Sequence, residues 1–116
     1  MPRVNHLSHE EYVSQLRRRI VETAEQVLNN SICVTEGSRQ LVPLWYLAEL
    51  PNDDSFNLFR MIESETELFP LGTLRQQWNT DALAVLDSQR EEYEKGVRAQ
   101  ALRSCQALID TYKTAS

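Results

Sequence analysis

The sequence predicts an all-α fold, a compact bundle of about four main helices with a long C-terminal helix, in a single domain over residues 1–116. Three observations carry the expectation. Apolar residues recur at three- and four-residue intervals along most of the chain. No stretch alternates with the period of two that a half-buried strand requires. Residues suited to helix N-caps stand before the periodic segments, at Ser8, within Pro51-Asn52-Asp53-Asp54, and at Asn79.

Each element follows from local chemistry. Ser8-His9-Glu10-Glu11 has the capping-box form, serine at the N-cap and glutamate three residues on. Tyr12, Leu16, Ile20, Ala24, Val27 and Leu28 then define a first helix of about five turns. Its end falls at Asn29-Asn30, which tolerate left-handed dihedrals. Arg17, Arg18 and Arg19 read as a solvated face. A second helix over about 34–49 carries Leu41, Leu44, Trp45 and Ala48; Gly37 weakens it, and Pro43 is expected to kink it or open a separate piece. A third carries Phe56, Phe59 and Ile62 and stops before Pro70 and Gly72, with a short helical turn through 73–77. Asn79-Thr80-Asp81 starts the last helix, whose stripe runs from Leu83 to Tyr112, interrupted by Arg90.

Charge and composition narrow the function classes. The net charge is −5, and residues 31–78 alone hold seven acids against three bases. Nucleic-acid affinity needs clustered lysine and arginine, so nucleic acid is not an expected partner. No apolar run reaches the roughly 20 residues of a membrane span. Met1-Pro-Arg-Val-Asn-His lacks the apolar stretch of a signal peptide, so a cytoplasmic location is expected. Cys33 and Cys105 show no metal-ligand spacing and read as buried apolar groups.

One stretch departs from ordinary scaffold: Glu63-Ser64-Glu65-Thr66-Glu67-Leu68-Phe69-Pro70-Leu71-Gly72, followed by Arg75 and Trp78. Three carboxylates there invite metal or acid/base chemistry. On a helix, residues two apart point about 200° apart, so Glu63, Glu65 and Glu67 converge only if the chain is extended. Metal sites usually recruit His or Cys beside carboxylates, and His6 and His9 lie far off without a ligand pattern. No nucleophile motif or phosphate-binding glycine loop is present. No catalytic residue, metal or cofactor is therefore expected. The architectural expectation is that Ser64 or Thr66 ends the third helix, Pro70 and Gly72 turn the chain, and Trp78 covers the junction. Arg75 is then expected, partly buried, on Glu65 or Glu67.

This motif resembles that of an uncharacterised family of small bacterial helical proteins. Their core reads Ser-Glu-Thr-Asp-His-Leu-Pro-x-Gly, followed by Arg and Trp. The likeness extends upstream to Glu36-Gly37-Ser38-Arg39-Gln40-Leu41 and downstream to Cys105-Gln106-Ala107-Leu108, covering residues 21–112. Three positions differ: Glu67 replaces the usual Asp, Leu68 the usual His and Phe69 the usual Leu. A ligand or base role for that histidine does not carry over. The resemblance implies no settled activity.

The functional expectation is a non-enzymatic bacterial binding protein, similar in size and charge to immunity proteins, with a basic toxin domain as its partner. Glu63, Glu65 and Glu67, with Asp53 and Asp54, are the expected contacts, and Trp45, Tyr46 and Trp78 the aromatic anchors wherever they are exposed. The alternatives are a small enzyme using the same glutamates and a homodimeric scaffold, the latter marked by an exposed apolar stripe on the last helix.

Overall fold

Ser8 opens α1 (His9–Leu28) with the expected reciprocal cap: its hydroxyl accepts from the Glu11 amide and the Glu11 carboxylate accepts from the Ser8 amide. The computed structural model describes residues 8–113, and His6 and the stretch before it lie outside them. α1 ends at Asn29, and Asn30 takes the left-handed dihedral foreseen there (φ 64°). One face buries Leu16, Ile20, Val21, Ala24 and Val27. Arg18 and Arg19 face solvent, while Arg17 is half-buried with its guanidinium over the Tyr112 ring.

α2 (Val34–Leu47) starts on an unexpected cap. The Cys33 sulfur accepts from the Glu36 amide at 3.4 Å, so this cysteine is a half-buried cap and not a fully buried apolar group. Pro43 neither splits nor opens the helix. It sits on the exposed side, and burial of Leu41, Val42 and Trp45 holds the helix together around it. Gly37 is a packing device: a Cβ there would run into the Val27 side chain, so its absence lets α1 and α2 approach closely. The turn after α2 passes through Glu49, a non-glycine at φ 58°, and the Trp45 indole donates to the Pro51 carbonyl at 3.0 Å.

α3 (Asp54–Glu65) is capped by Asp53, whose carboxylate accepts from the Phe56 amide. It buries Phe56, Phe59 and Ile62, all at most 1% exposed, against Trp45 and Leu41. A 3-10 helix follows at Gly72–Gln77, matching the short turn expected there. α4 (Thr80–Tyr112) starts at its Asn79 cap and is the longest element, at about 50 Å for 33 residues. Among the described residues there is no strand. The all-α bundle with a long last helix is thus what the chain forms.

α4 is used unevenly. Its buried residues are Glu94, Ala101, Cys105 and Leu108, none of them before Glu94, and the helix packs chiefly against α1. Arg90, which broke the apolar stripe, pairs with the buried Glu94 at 3.1 Å. Glu94 in turn accepts from the Thr35 amide (3.0 Å) and hydroxyl (2.6 Å), closing the first turn of α2 from across the bundle.

Candidate partner-binding surface

The structure turns the 63–78 region into a braced loop at the end of α3, beside the first half of α4. Thr66 is fully buried and ends α3, its hydroxyl donating to the Ile62 carbonyl at 2.6 Å. The carbonyls past a helix end are orphan acceptors. Arg39 of α2 satisfies two of them, donating to the Thr66 carbonyl at 2.5 Å and the Phe69 carbonyl at 2.7 Å. Pro70 is buried and Gly72 takes φ 62°, so the turn chemistry expected of both is present.

The expected ion pair is corrected. Arg75 does not meet Glu65 or Glu67; it makes a bidentate pair with Asp87 of α4, at 2.7 and 2.8 Å. The physical reason is the 3-10 helix, which carries Arg75 away from α3 and onto the first half of α4. Both partners are partly solvated, with side chains 36% and 27% exposed. The hydrogen bond from Arg75, with the charges of Arg75 and Arg90, holds the Asp87 carboxyl below the usual carboxylate range despite some desolvation. Glu65 has a different partner, the Tyr93 hydroxyl, which donates to it at 2.6 Å. Burial first, then that carboxylate, push the Tyr93 phenol up.

The three glutamates do not converge. Glu63 and Glu67 share an open groove of about 570 Å3 with Ser64, Arg39 and Arg60, while Glu65 turns to α4. Among the described residues no group of three or more His, Cys, Asp or Glu is placed to hold a metal ion. His9 pairs with Glu49 at 3.1 Å. Asp53 and Asp54 lie at the opposite end of α3, about 18 Å from Glu65 along the helix, so the five expected acidic contacts do not form one patch.

The aromatic candidates divide. Trp45 is 1% exposed and packs within the core against Phe56, the two rings tilted at 47°, so it is corrected from anchor to core residue: its indole N–H is bonded within the fold and its ring faces no solvent. Tyr46 is 56% exposed, set edge-on to Phe56 beside the N-terminal end of α3. Trp78 is 45% exposed at the end of the 3-10 helix. With it the loop exposes Leu68 (79%) and Leu74 (57%), neither of which was foreseen.

Arg39, Asp87, Tyr93 and Glu94 were also missed. Arg39 had a signal, being the only base between Arg19 and Arg60. Arg90 and Glu94 had another, as opposite charges four apart within an apolar stripe. No helix among the described residues is long and apolar enough to cross a membrane. Compared with family models, curated proteins and solved structures, the chain matches none of them.

Proposed function

We propose that the chain is a non-enzymatic protein-binding protein, and most concretely an immunity, antitoxin-like protein that works in the cytoplasm and neutralises a cognate basic toxin domain. One observation carries the binding reading. Loop 66–79 is held by Arg39, by the Arg75–Asp87 pair and, at the preceding residue, by Tyr93 on Glu65, yet it presents Leu68, Leu74 and Trp78 to water. A loop whose backbone is fixed in advance loses little freedom on binding, and an exposed tryptophan on a rigid support is a frequent anchor of an interface. The immunity reading adds small size and acidic charge, which steer a basic partner. The enzyme reading of the sequence uses all three glutamates, and Glu65 turns from the other two.

The test is surface-binding kinetics against the protein encoded by the adjacent gene. Wild-type association should slow as salt rises, because exposed charges are screened over about 10 Å at 0.1 M. The triple variant Glu63→Gln, Glu65→Gln, Glu67→Gln should associate more slowly and lose most of that salt dependence. An association rate indifferent to both salt and the substitutions overturns the electrostatic binder. Metal-dependent turnover abolished in the same variant moves the function to an enzyme.

A further inference from the structure

A second polar site stands where the turn after α1 meets the middle of α4, and it shares no residue with loop 66–79. An open cavity of about 500 Å3 lies there between Asn30, Ile32 and Cys33 of the turn and five charged residues of α4. Three are bases, Arg90, Lys95 and Arg98, and two are acids, Glu91 and Glu94, so the lining is net positive in a chain of net charge −5. The acids are not equal. Glu94 is 3% exposed, and its carboxylate is spent on the Thr35 amide and hydroxyl and on Arg90. The amides of Thr35, Glu36 and Gly37 are likewise taken, by Glu94 and by Cys33, so the start of α2 has little left for a ligand. Two of the bases are under-used. Arg98 has a long bond to the Asn30 side chain, at 3.4 Å, and no ion pair among the described residues. Lys95 reaches Glu92 at 3.9 Å, with both side chains largely exposed. Glu91 stands four residues before Lys95, a spacing that favours pairing, but a pair between exposed side chains is weak and easily exchanged.

We infer that this cavity binds the oxyanion of a small polar molecule, a phosphate monoester or a carboxylate. Arg98 supplies a planar fork that matches two oxygens, and Lys95, three residues before it on the same helix, supplies a mobile point charge. Arg90 adds charge from a fixed position, because Glu94 holds its guanidinium at 3.1 Å. Ile32 is the only aliphatic residue of the lining, which disfavours an apolar ligand, and the volume falls within the roughly 300–1,000 Å3 of small-molecule sites. Glu91 is the opposing charge, so its removal should tighten the anion.

Cys33 makes the inference measurable, because it is half-buried and lines the cavity, whereas Cys105 is 0% exposed. Burial pushes the Cys33 thiol up and slows its alkylation, but the ratio of two reagents at one pH cancels that factor. The two are neutral iodoacetamide and anionic iodoacetate, with the Cys33 peptide followed by mass spectrometry. At low salt the iodoacetate-to-iodoacetamide rate ratio should be about threefold higher in the wild type than in Lys95→Gln, Arg98→Gln, the scale of one charge interaction across several ångströms of water. Glycerol phosphate should protect Cys33 from iodoacetamide saturably, whereas glycerol, and sodium chloride at matched ionic strength, should not. Succinate is the carboxylate arm: protection by either anion supports the inference, and the stronger protector names the oxyanion.

The double variant should lose the protection, and Glu91→Gln should tighten the protecting anion about threefold, by the same charge arithmetic. Glu91→Gln alters one exposed side chain, so it keeps the test standing if the double variant fails to fold. Equal reagent ratios in wild type and double variant overturn the inference. So does protection that chloride matches, since it would be screening alone, or protection by neither anion across the millimolar range. Weaker binding in Glu91→Gln overturns it as well, because the acid would then hold the ligand and the cavity would not be an oxyanion site.

Discussion

The two ends of α4 are held by opposite means. From Glu94 onward the helix packs on α1, and the neighbouring core of Ile20, Leu41, Trp45, Phe56, Phe59 and Ile62 is at most 1% exposed. Before Glu94 no residue of the helix is buried, and the braces to its neighbours are directed polar ones: Arg75 on Asp87 and Tyr93 on Glu65. In the first region apolar groups are inside and water sets their position. In the second, polar groups do the bracing and several apolar side chains point outward. Burial holds a region by area and tolerates no loss of volume. Bracing holds it by geometry, which leaves its apolar surface available to a partner.

The largest expected effect breaks the buried end. Phe59→Ala removes a ring that is 1% exposed and leaves a cavity, and should cost about 3–5 kcal/mol in urea-induced unfolding, with loss of the whole helical signal in one transition. A second change tests the joint between the two regions. Burial raises the Glu94 carboxyl, but its bonds from Thr35 and the charge of Arg90 outweigh that and hold it below the ordinary carboxylate range. A carboxyl lower in the folded than in the unfolded chain stabilises above the unfolded value and loses that contribution as pH falls through the folded one. Glu94→Gln should cost about 2 kcal/mol at neutral pH, the scale of hydrogen bonds to a charged group. It should also make stability less sensitive to pH on the acid side of the ordinary carboxylate range. A wild type whose urea midpoint falls with acid as little as the variant's would show that Glu94 is not the linked group.

The helices were legible because their signals are local. Ser8 with Glu11, Asn79 with Thr80, and the 3.6-residue recurrence of Phe56, Phe59 and Ile62 can be recognised without knowing the fold, and each lies where it was expected. Polar contacts between distant segments were not legible. The partner of Arg75 was expected on the nearest run of acids, yet it lies on α4, because the geometry of a 3-10 helix and not proximity in sequence aims the guanidinium. Arg39 reaches carbonyls, which leave no mark in a sequence at all. Exposure was equally hidden: Trp45 and Tyr46 are adjacent and both aromatic, and only the packing of α2 on α3 decides that the first is core and the second faces water.

The smallest expected effect sharpens the comparison at its polar end. Arg39 and Arg75 both brace the loop, but they close different gaps. Arg39 satisfies carbonyls at the end of α3, where an unmet acceptor beside buried Thr66 has little else to bond. Arg39→Met keeps much of the stem and removes the donors, and should cost about 1 kcal/mol overall. Arg75 and Asp87 are each partly open to solvent, and water can replace the pair when it is lost. Arg75→Ala should therefore leave the urea midpoint within experimental error, despite the bidentate geometry. Its effect belongs to local order: amide exchange at Leu74 and Trp78 should quicken while exchange at Phe59 and Ile62 stays as it was, because opening of the loop does not require opening of the core. Quickened exchange in both places would mean that the braced end and the buried end unfold as one unit. No change in either would mean that Arg39, with Tyr93 on Glu65, holds the loop without Arg75.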